Sequence, residues 1–275
     1  MNVFDQPKID THCHLLDPDH FPYAPDVAYR PAGQEIGAQG YFEQVMACFN
    51  VTHALLVGPN SGYNIDNRCL LHALDTGGGK FKGIVVLPQD ASLETLASLK
   101  ARGVLGLAFN PAMYGVAHYG GLRPLLQRLA ELGLWAQLQI EGDQLVELLP
   151  MLDSVPDLKL MFDHYGRPVV SRGLRQPGFQ ALLALGRERR AVVKLSGEAK
   201  FAETPFPFHD VEPYTEALVQ AFGTEHCMWA SDWPYLKAPF RLDFGPMLRR
   251  WERMFTAAER QQLMHDTAAR LFEFV

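Results

Sequence analysis

Cysteine is scarce in this sequence. Its four residues (Cys13, Cys48, Cys69 and Cys227) include no C-x-x-C pair and no disulfide-like spacing, which excludes a disulfide-stapled scaffold and reads as reduced thiols in a cytosol. Charge of one sign is also in short supply. Lys and Arg number 25 against 31 Asp and Glu, a balance of −6, so a strongly basic nucleic-acid binder is excluded and no nucleic-acid partner is expected. No apolar run exceeds strand length, so no membrane span is expected. The opening Met-Asn-Val-Phe-Asp-Gln has neither a basic nor an apolar leader region, and the expected location is cytoplasmic. Low-complexity tracts, linkers and internal repeats are missing as well. What is present is a globular composition, 48% hydrophobic and 20% charged over 275 residues. A chain of that length buries roughly 70–75% of its unfolded surface and needs no staple.

Short apolar runs alternate with helical patterns. Strands are expected at Lys8–His14, His53–Gly58, Phe81–Leu87, Val104–Phe109, Leu134–Ile140, Leu158–Asp163, Ala191–Leu195 and Cys227–Ser231. Helices are expected at Tyr41–Asn50, Asn67–Asp75, Leu93–Arg102, Leu122–Leu132, Asp143–Leu152, Phe179–Arg189, Val211–Phe222, Phe244–Phe255 and Ala257–Phe272. Eight strand-then-helix units close most economically as a (β/α)8 TIM barrel. An open doubly wound sheet usually carries a glycine-rich phosphate turn after its first strand, where this chain reads His12-Cys13-His14-Leu15-Leu16. Gly77-Gly78-Gly79 precedes a strand and reads as a flexible helix exit. The expectation is one domain over residues 1–275. Two long loops, Leu15–Gly40 and Glu198–Asp210, would lie over the barrel mouth.

Chemistry in such a barrel sits where strands end. The first strand ends Asp10-Thr11-His12-Cys13-His14. Its period of two places Asp10, His12 and His14 on one face, the imidazoles roughly 6–7 Å apart. The sixth ends Asp163-His164-Tyr165-Gly166-Arg167-Pro168, and the eighth Ala230-Ser231-Asp232-Trp233-Pro234. Lys194 lies inside the seventh strand and could pair with Asp10 or snorkel outward. Gln137, Gln139 and Glu141 share one face of the fifth. Ser171 and Ser196 lack a G-x-S-x-G elbow, which disfavours serine hydrolase chemistry.

Taken together, H-x-H, D-H-x-G-[RK]-P, K-x-S-G and S-D-W-P resemble the amidohydrolase superfamily from Ile9 to the closing segment Asp266–Phe272. Within it, Phe21-Pro22-Tyr23-Ala24-Pro25 and Asp66-Asn67-Arg68-Cys69-Leu70-Leu71 resemble the 2-pyrone-4,6-dicarboxylate hydrolase (lactonase) branch. The resemblance implies a hydrolase that opens a lactone of a small oxygen-rich carboxylic acid. Asp232 would be the general base for water, and His12, His14 and His164 would polarise the carbonyl as hydrogen-bond donors.

Binuclear members of the superfamily need a bridging lysine or glutamate on strand 4 and usually a histidine on strand 5. Here those strands end Leu107-Ala108-Phe109-Asn110 and Leu138-Gln139-Ile140-Glu141, so two metals are not expected. The branch includes metal-free members, and no metal is the expectation. The alternative is one divalent ion such as zinc on His12, His14, His164 and Asp232. The branch clamps substrate carboxylates with arginines, two of them after strand 4, but Ala108–Tyr114 holds no basic residue and the region after strand 7 holds only Lys200. A less charged lactone follows, with Ser61, Asn110 and Lys200 as contacts, Tyr29 as a lid contact and Arg167 as an anion partner. The rival readings are a metal-dependent decarboxylase or amidase, and a non-catalytic barrel acting as a scaffold. A homo-oligomer is compatible with the sequence.

Overall fold

Parallel strands are covered on both faces, so they read as unbroken apolar runs, and such a run in β2 is Ala54-Leu55-Leu56-Val57, all buried. A computed structural model describes residues 1–274. Its strands are β1 (Lys8–Cys13), β2 (Val51–Val57), β3 (Phe81–Val85), β4 (Val104–Phe109), β5 (Trp135–Leu138), β6 (Lys159–Phe162), β7 (Ala191–Leu195) and β8 (Cys227–Trp229). They form one sheet whose spatial order is the sequence order. Where the registers are defined, the pairs β1–β2, β2–β3, β4–β5, β5–β6 and β6–β7 are parallel. This is the (β/α)8 TIM-barrel topology that the alternation predicts.

The helices are α1 (Gln39–Cys48), α2 (Arg68–Thr76), α3 (Leu93–Ala101), α4 (Pro111–Tyr114), α5 (Arg123–Leu132), α6 (Gln144–Asp153), α7 (Pro177–Arg187), α8 (Glu212–Phe222), α9 (Phe244–Met254), α10 (Ala257–Gln261) and α11 (Thr267–Phe272). Apart from shifts of one or two residues at other element ends, three details differ from expectation. The single helix expected over Ala257–Phe272 is interrupted by a π turn at Gln262–Asp266. The fifth strand stops at Leu138, so only Gln137 of its polar face lies in the sheet, fully buried. The short α4 is an addition, built by Pro111 at its first position and capped by the Asn110 side chain, which accepts from Met113 N at 3.0 Å. Among the described residues, no helix is long and apolar enough to cross a membrane.

Two compact units share the chain. One comprises Met1–Leu87, Ala101–Leu105 and Trp229–Val275, the other Pro88–Lys100 and Gly106–Met228. In the first, a parallel bridge joins Cys13 to Trp233, so the segment after β8 is stitched to the end of β1. In the second, Leu107, Leu138, Phe162 and Val193 are buried at 1% exposure or less, each worth ~1.5–3 kcal/mol when removed from water. Gly106 is required there, since a Cβ would lie 2.2 Å from Trp135 O.

Lys8 is fully buried, and its ammonium donates to Val3 O, Phe4 O and Gln6 O. Burial is the largest influence on its pKa and pulls it down to about 8 from 10.5, with Asp5 opposing and Arg260 reinforcing. Between those values the unfolded chain binds more protons than the folded one, so stability rises as pH increases across that window. The expected result is that the wild type gains stability relative to Lys8→Met between pH 8 and 10.5, measured by urea unfolding. A difference that stays flat across that window would show that Lys8 keeps its ordinary pKa.

Candidate active site

In the first unit, β1 carries His12 at 1% exposure, and His14 follows its last residue at 7%. Alternation places both imidazoles on one face as the H-x-H spacing predicts, with ring centroids 4.9 Å apart in an edge-to-face arrangement. Opposite them is Asp232, 3% exposed. Its Oδ1 lies 3.9 Å from His12 Nε2 and 3.8 Å from His14 Nε2.

Backbone and side-chain contacts hold the strand end that carries Asp232 in place. Asp232 N donates to His12 O at 2.9 Å, tying it to β1, and its φ of +60° is a left-handed conformation that aspartate tolerates better than most residues. On either side, the buried Asp10 carboxylate accepts from Ser231 N at 2.9 Å and from the Ser231 hydroxyl, whose oxygen in turn accepts from Trp233 N at 2.9 Å. Asp10 also accepts from His12 N at 3.2 Å. Asp10 thus bridges both strand ends. The Ser231 hydroxyl was not singled out from sequence, although its place in S-D-W was a signal.

The orientation of His14 restricts its chemistry. Nδ1 lies 2.8 Å from Val57 O, and a carbonyl can only accept, so Nδ1 carries a proton. In the neutral ring, Nε2 then presents a lone pair toward the Asp232 carboxylate. That arrangement suits a cation, or a water that donates to both groups, between them. It does not suit the neutral hydrogen-bond donor expected from sequence. His12, His14 and Asp232 offer three buried ligand atoms within 4.8 Å of one another, and a carboxylate facing imidazole lone pairs is a donor set that fits one divalent ion.

In the second unit, β6 leads into Asp163-His164-Tyr165-Gly166-Arg167. Residues 164 to 167 have φ of 52, 61, 70 and 43°, four left-handed residues in succession. Each non-glycine there costs about 1–2 kcal/mol, so the turn must be held from outside. Gly166 N donates to Asp163 O at 2.9 Å and Arg167 N to His164 O at 2.8 Å. Asp163 is anchored in turn: Lys194 Nζ lies 3.2 Å from its Oδ1, Gln137 Nε2 donates to its Oδ2 at 2.9 Å, and Lys194 Nζ donates to Gln137 Oε1 at 2.6 Å. Lys194 therefore points inward and pairs with Asp163. His164 is fully buried, its Nδ1 2.9 Å from Ser196 Oγ.

The expected substrate contacts divide. Arg167 and Lys200 line one cavity of about 520 Å³ with Glu141, Gln144, Phe201 and Glu203. Arg167 Nη2 is 3.7 Å from Glu141, and its buried Nε has no hydrogen-bond partner among the described residues. Asn110 Oδ1 is committed to capping α4. Tyr29 donates its hydroxyl to Glu35 and has the Lys237 ammonium 4.6 Å from its ring centroid, while Lys237 N donates to the same Glu35 at 2.7 Å. This ties the long first loop to the segment after β8, and burial with the Glu35 bond pushes the Tyr29 pKa up to about 12. Ser61 is half-buried.

A (β/α)8 barrel with an H-x-H pair at β1 and an aspartate after β8 defines a class of barrel hydrolases, and the comparisons agree. A family model described as Amidohydrolase matches residues 9–274, and the chain belongs to that family. It is 27% identical to a 2-pyrone-4,6-dicarboxylate hydrolase of Comamonas testosteroni, covering 96% of this chain and 89% of that protein. It is 28% identical, with the same two coverages, to a 4-sulfomuconolactone hydrolase of Rhizobium radiobacter. Among solved structures, a Pseudomonas putida protein described as a candidate 2-pyrone-4,6-dicarboxylic acid hydrolase superposes with a TM-score of 0.86, at 32% identity and covering 98% of each chain.

Proposed function

We propose that this protein hydrolyses a lactone of a small oxygen-rich carboxylic acid, with Asp232 as the base. The observation that carries the reading is the buried Asp232 carboxylate facing His12 and His14 at 3.9 and 3.8 Å. The two curated relatives named as lactone hydrolases support the substrate class. Asp232 takes a proton from water as the water oxygen bonds to the ring carbonyl carbon, giving a tetrahedral oxyanion. The ring C–O bond then breaks, and Asp232 returns the proton to the departing oxygen, leaving a hydroxy acid. General-base assistance of this kind is worth about 10²–10⁴-fold. His164, at the end of β6, is assigned to the carbonyl oxygen as a hydrogen-bond donor by the likeness of its D-H-x-G-R-P segment to the family pattern. A divalent ion held by His12, His14 and Asp232 would supply Lewis-acid polarisation of that carbonyl.

Arg167 and Lys200 are assigned to an anionic group on the substrate. Their cavity also holds Glu141 and Glu203, which offset the two cations and disfavour a dicarboxylate. Arg167→Gln is expected to raise KM for a monocarboxylate lactone about tenfold, with kcat within about threefold, since a lost ground-state contact weakens binding more than chemistry. Equal KM values in steady-state assays would remove Arg167 from the site.

The test of the function is a panel of sugar lactones, muconolactones and pyrone carboxylates, with ring opening read as released acid. Turnover of none of them would overturn the reading. The metal-dependent decarboxylase or amidase remains the second reading, because the lone pair at His14 Nε2 suits a cation. Elemental analysis with chelation separates the two. Lactone turnover that survives chelation in zinc-free protein supports the metal-free lactonase. Activity confined to metal-loaded protein and to carboxylate or amide substrates supports the second reading.

A further inference from the structure

The K-x-S-G segment at the end of β7 has no part in the mechanism above, yet its polar side chains face the β6 turn. Lys194 neutralises Asp163 at 3.2 Å. Ser196 meets His164 Nδ1 at 2.9 Å. Gly197, at φ +68°, leaves space that the imidazole occupies, since a Cβ would lie 2.5 Å from His164 Nδ1 and 2.8 Å from its Cγ. Lysine, serine and glycine therefore act on one histidine and its neighbour.

We infer that Ser196 is a positioning residue that donates its hydroxyl proton to His164 Nδ1 and so fixes this imidazole as the Nε2–H tautomer. The hydroxyl is buried at 2% exposure, and His164 Nδ1 is its one side-chain hydrogen-bond partner among the described residues. An O–H left without an acceptor in such a place carries the full desolvation cost, whereas an oxygen lone pair without a donor is tolerated more readily. Donation satisfies the hydroxyl proton and leaves the ring proton on Nε2. Val57 O imposes the opposite state on His14, where Nδ1 is protonated and Nε2 carries the lone pair. The two histidines thus differ in polarity, His164 suited to donate a hydrogen bond and His14 to accept one or to ligate a cation. The catalytic consequence rests on the reading of His164 as the group that meets the lactone carbonyl.

Long-range 15N–1H spectra of the imidazole resonances test the tautomer without any substrate. The expected result is an Nε2–H pattern for His164 in the wild type, collapsing toward a mixed pattern in Ser196→Ala and returning in Ser196→Thr. An Nδ1–H pattern in the wild type overturns the inference. With substrate, Ser196→Ala is expected to lower kcat about tenfold with KM within about threefold, and Ser196→Thr to recover most of that loss. Unchanged kcat in Ser196→Ala also counts against the inference. Gly197→Ala, which drives a methyl group against the ring, is expected to lower kcat further while circular dichroism stays native. His164→Asn checks the underlying reading separately. Full activity there would remove His164 from the chemistry, while the tautomer spectra would still decide what Ser196 does.

Discussion

Asp232→Asn is expected to lower kcat by about 10²–10⁴-fold while KM moves by less than about threefold. The substitution separates chemistry from folding, because asparagine has nearly the same shape and accepts the left-handed backbone at φ +60°. The bond from Asp232 N to His12 O and the Asp10–Ser231 contacts beside it do not involve the carboxylate, so the strand end keeps its place. Only the proton acceptor is removed. Initial rates on whichever lactone turns over, alongside thermal melts, check the prediction. Residual activity within tenfold of wild type, in protein that melts normally, would assign the base to another group.

The second large effect concerns stability. Lys194→Met is expected to cost roughly 3–5 kcal/mol, because removing one partner of a buried ion pair leaves the other charge uncompensated. Lys194, Asp163 and Gln137 close a three-membered ring of polar contacts at 2.6 to 3.2 Å, with Lys194 and Gln137 fully buried and Asp163 at 2% exposure. Adding Asp163→Asn to Lys194→Met should restore part of the loss, since no unpaired charge then remains inside. Urea unfolding of the two variants and the wild type measures this. A cost below about 1 kcal/mol for Lys194→Met would mean that water or a neighbouring group replaces the ammonium. The consequence reaches the site, because Asp163 anchors the left-handed turn whose second residue is Tyr165 and whose first is His164.

The amino-acid sequence was sufficient for whatever depends on local periodicity. The alternation of apolar runs and amphipathic helices fixes the barrel order, since parallel neighbours must be joined by crossover helices. The period of two along Asp10, His12 and His14 puts both imidazoles on one face, and the rings do meet at 4.9 Å. The S-D-W-P segment likewise brings Asp232 to that pair. Departures occur where local pattern is weakest. At Asn110, the Oδ1 caps a short helix that the sequence reading did not include. At Tyr29, a loop residue became part of a latch through Glu35 and Lys237, groups 6 and 208 positions away in a numbering that runs from 29 to 35 and 237.

Only the tertiary structure decided which atoms of the assembled groups can donate and which accept. The proton position in His14 depends on Val57 O, 43 residues along the chain, and the partner of His164 is Ser196, 32 residues along. No spacing rule encodes a contact between one strand's side chain and another's carbonyl or hydroxyl. Lys194 had two readings in the sequence, inward or snorkelling, and packing against Gln137 and Asp163 selected the first. Residue type and period place a histidine on a face; the neighbour across the sheet sets its hydrogen-bonding polarity, because that depends on a through-space distance of about 3 Å.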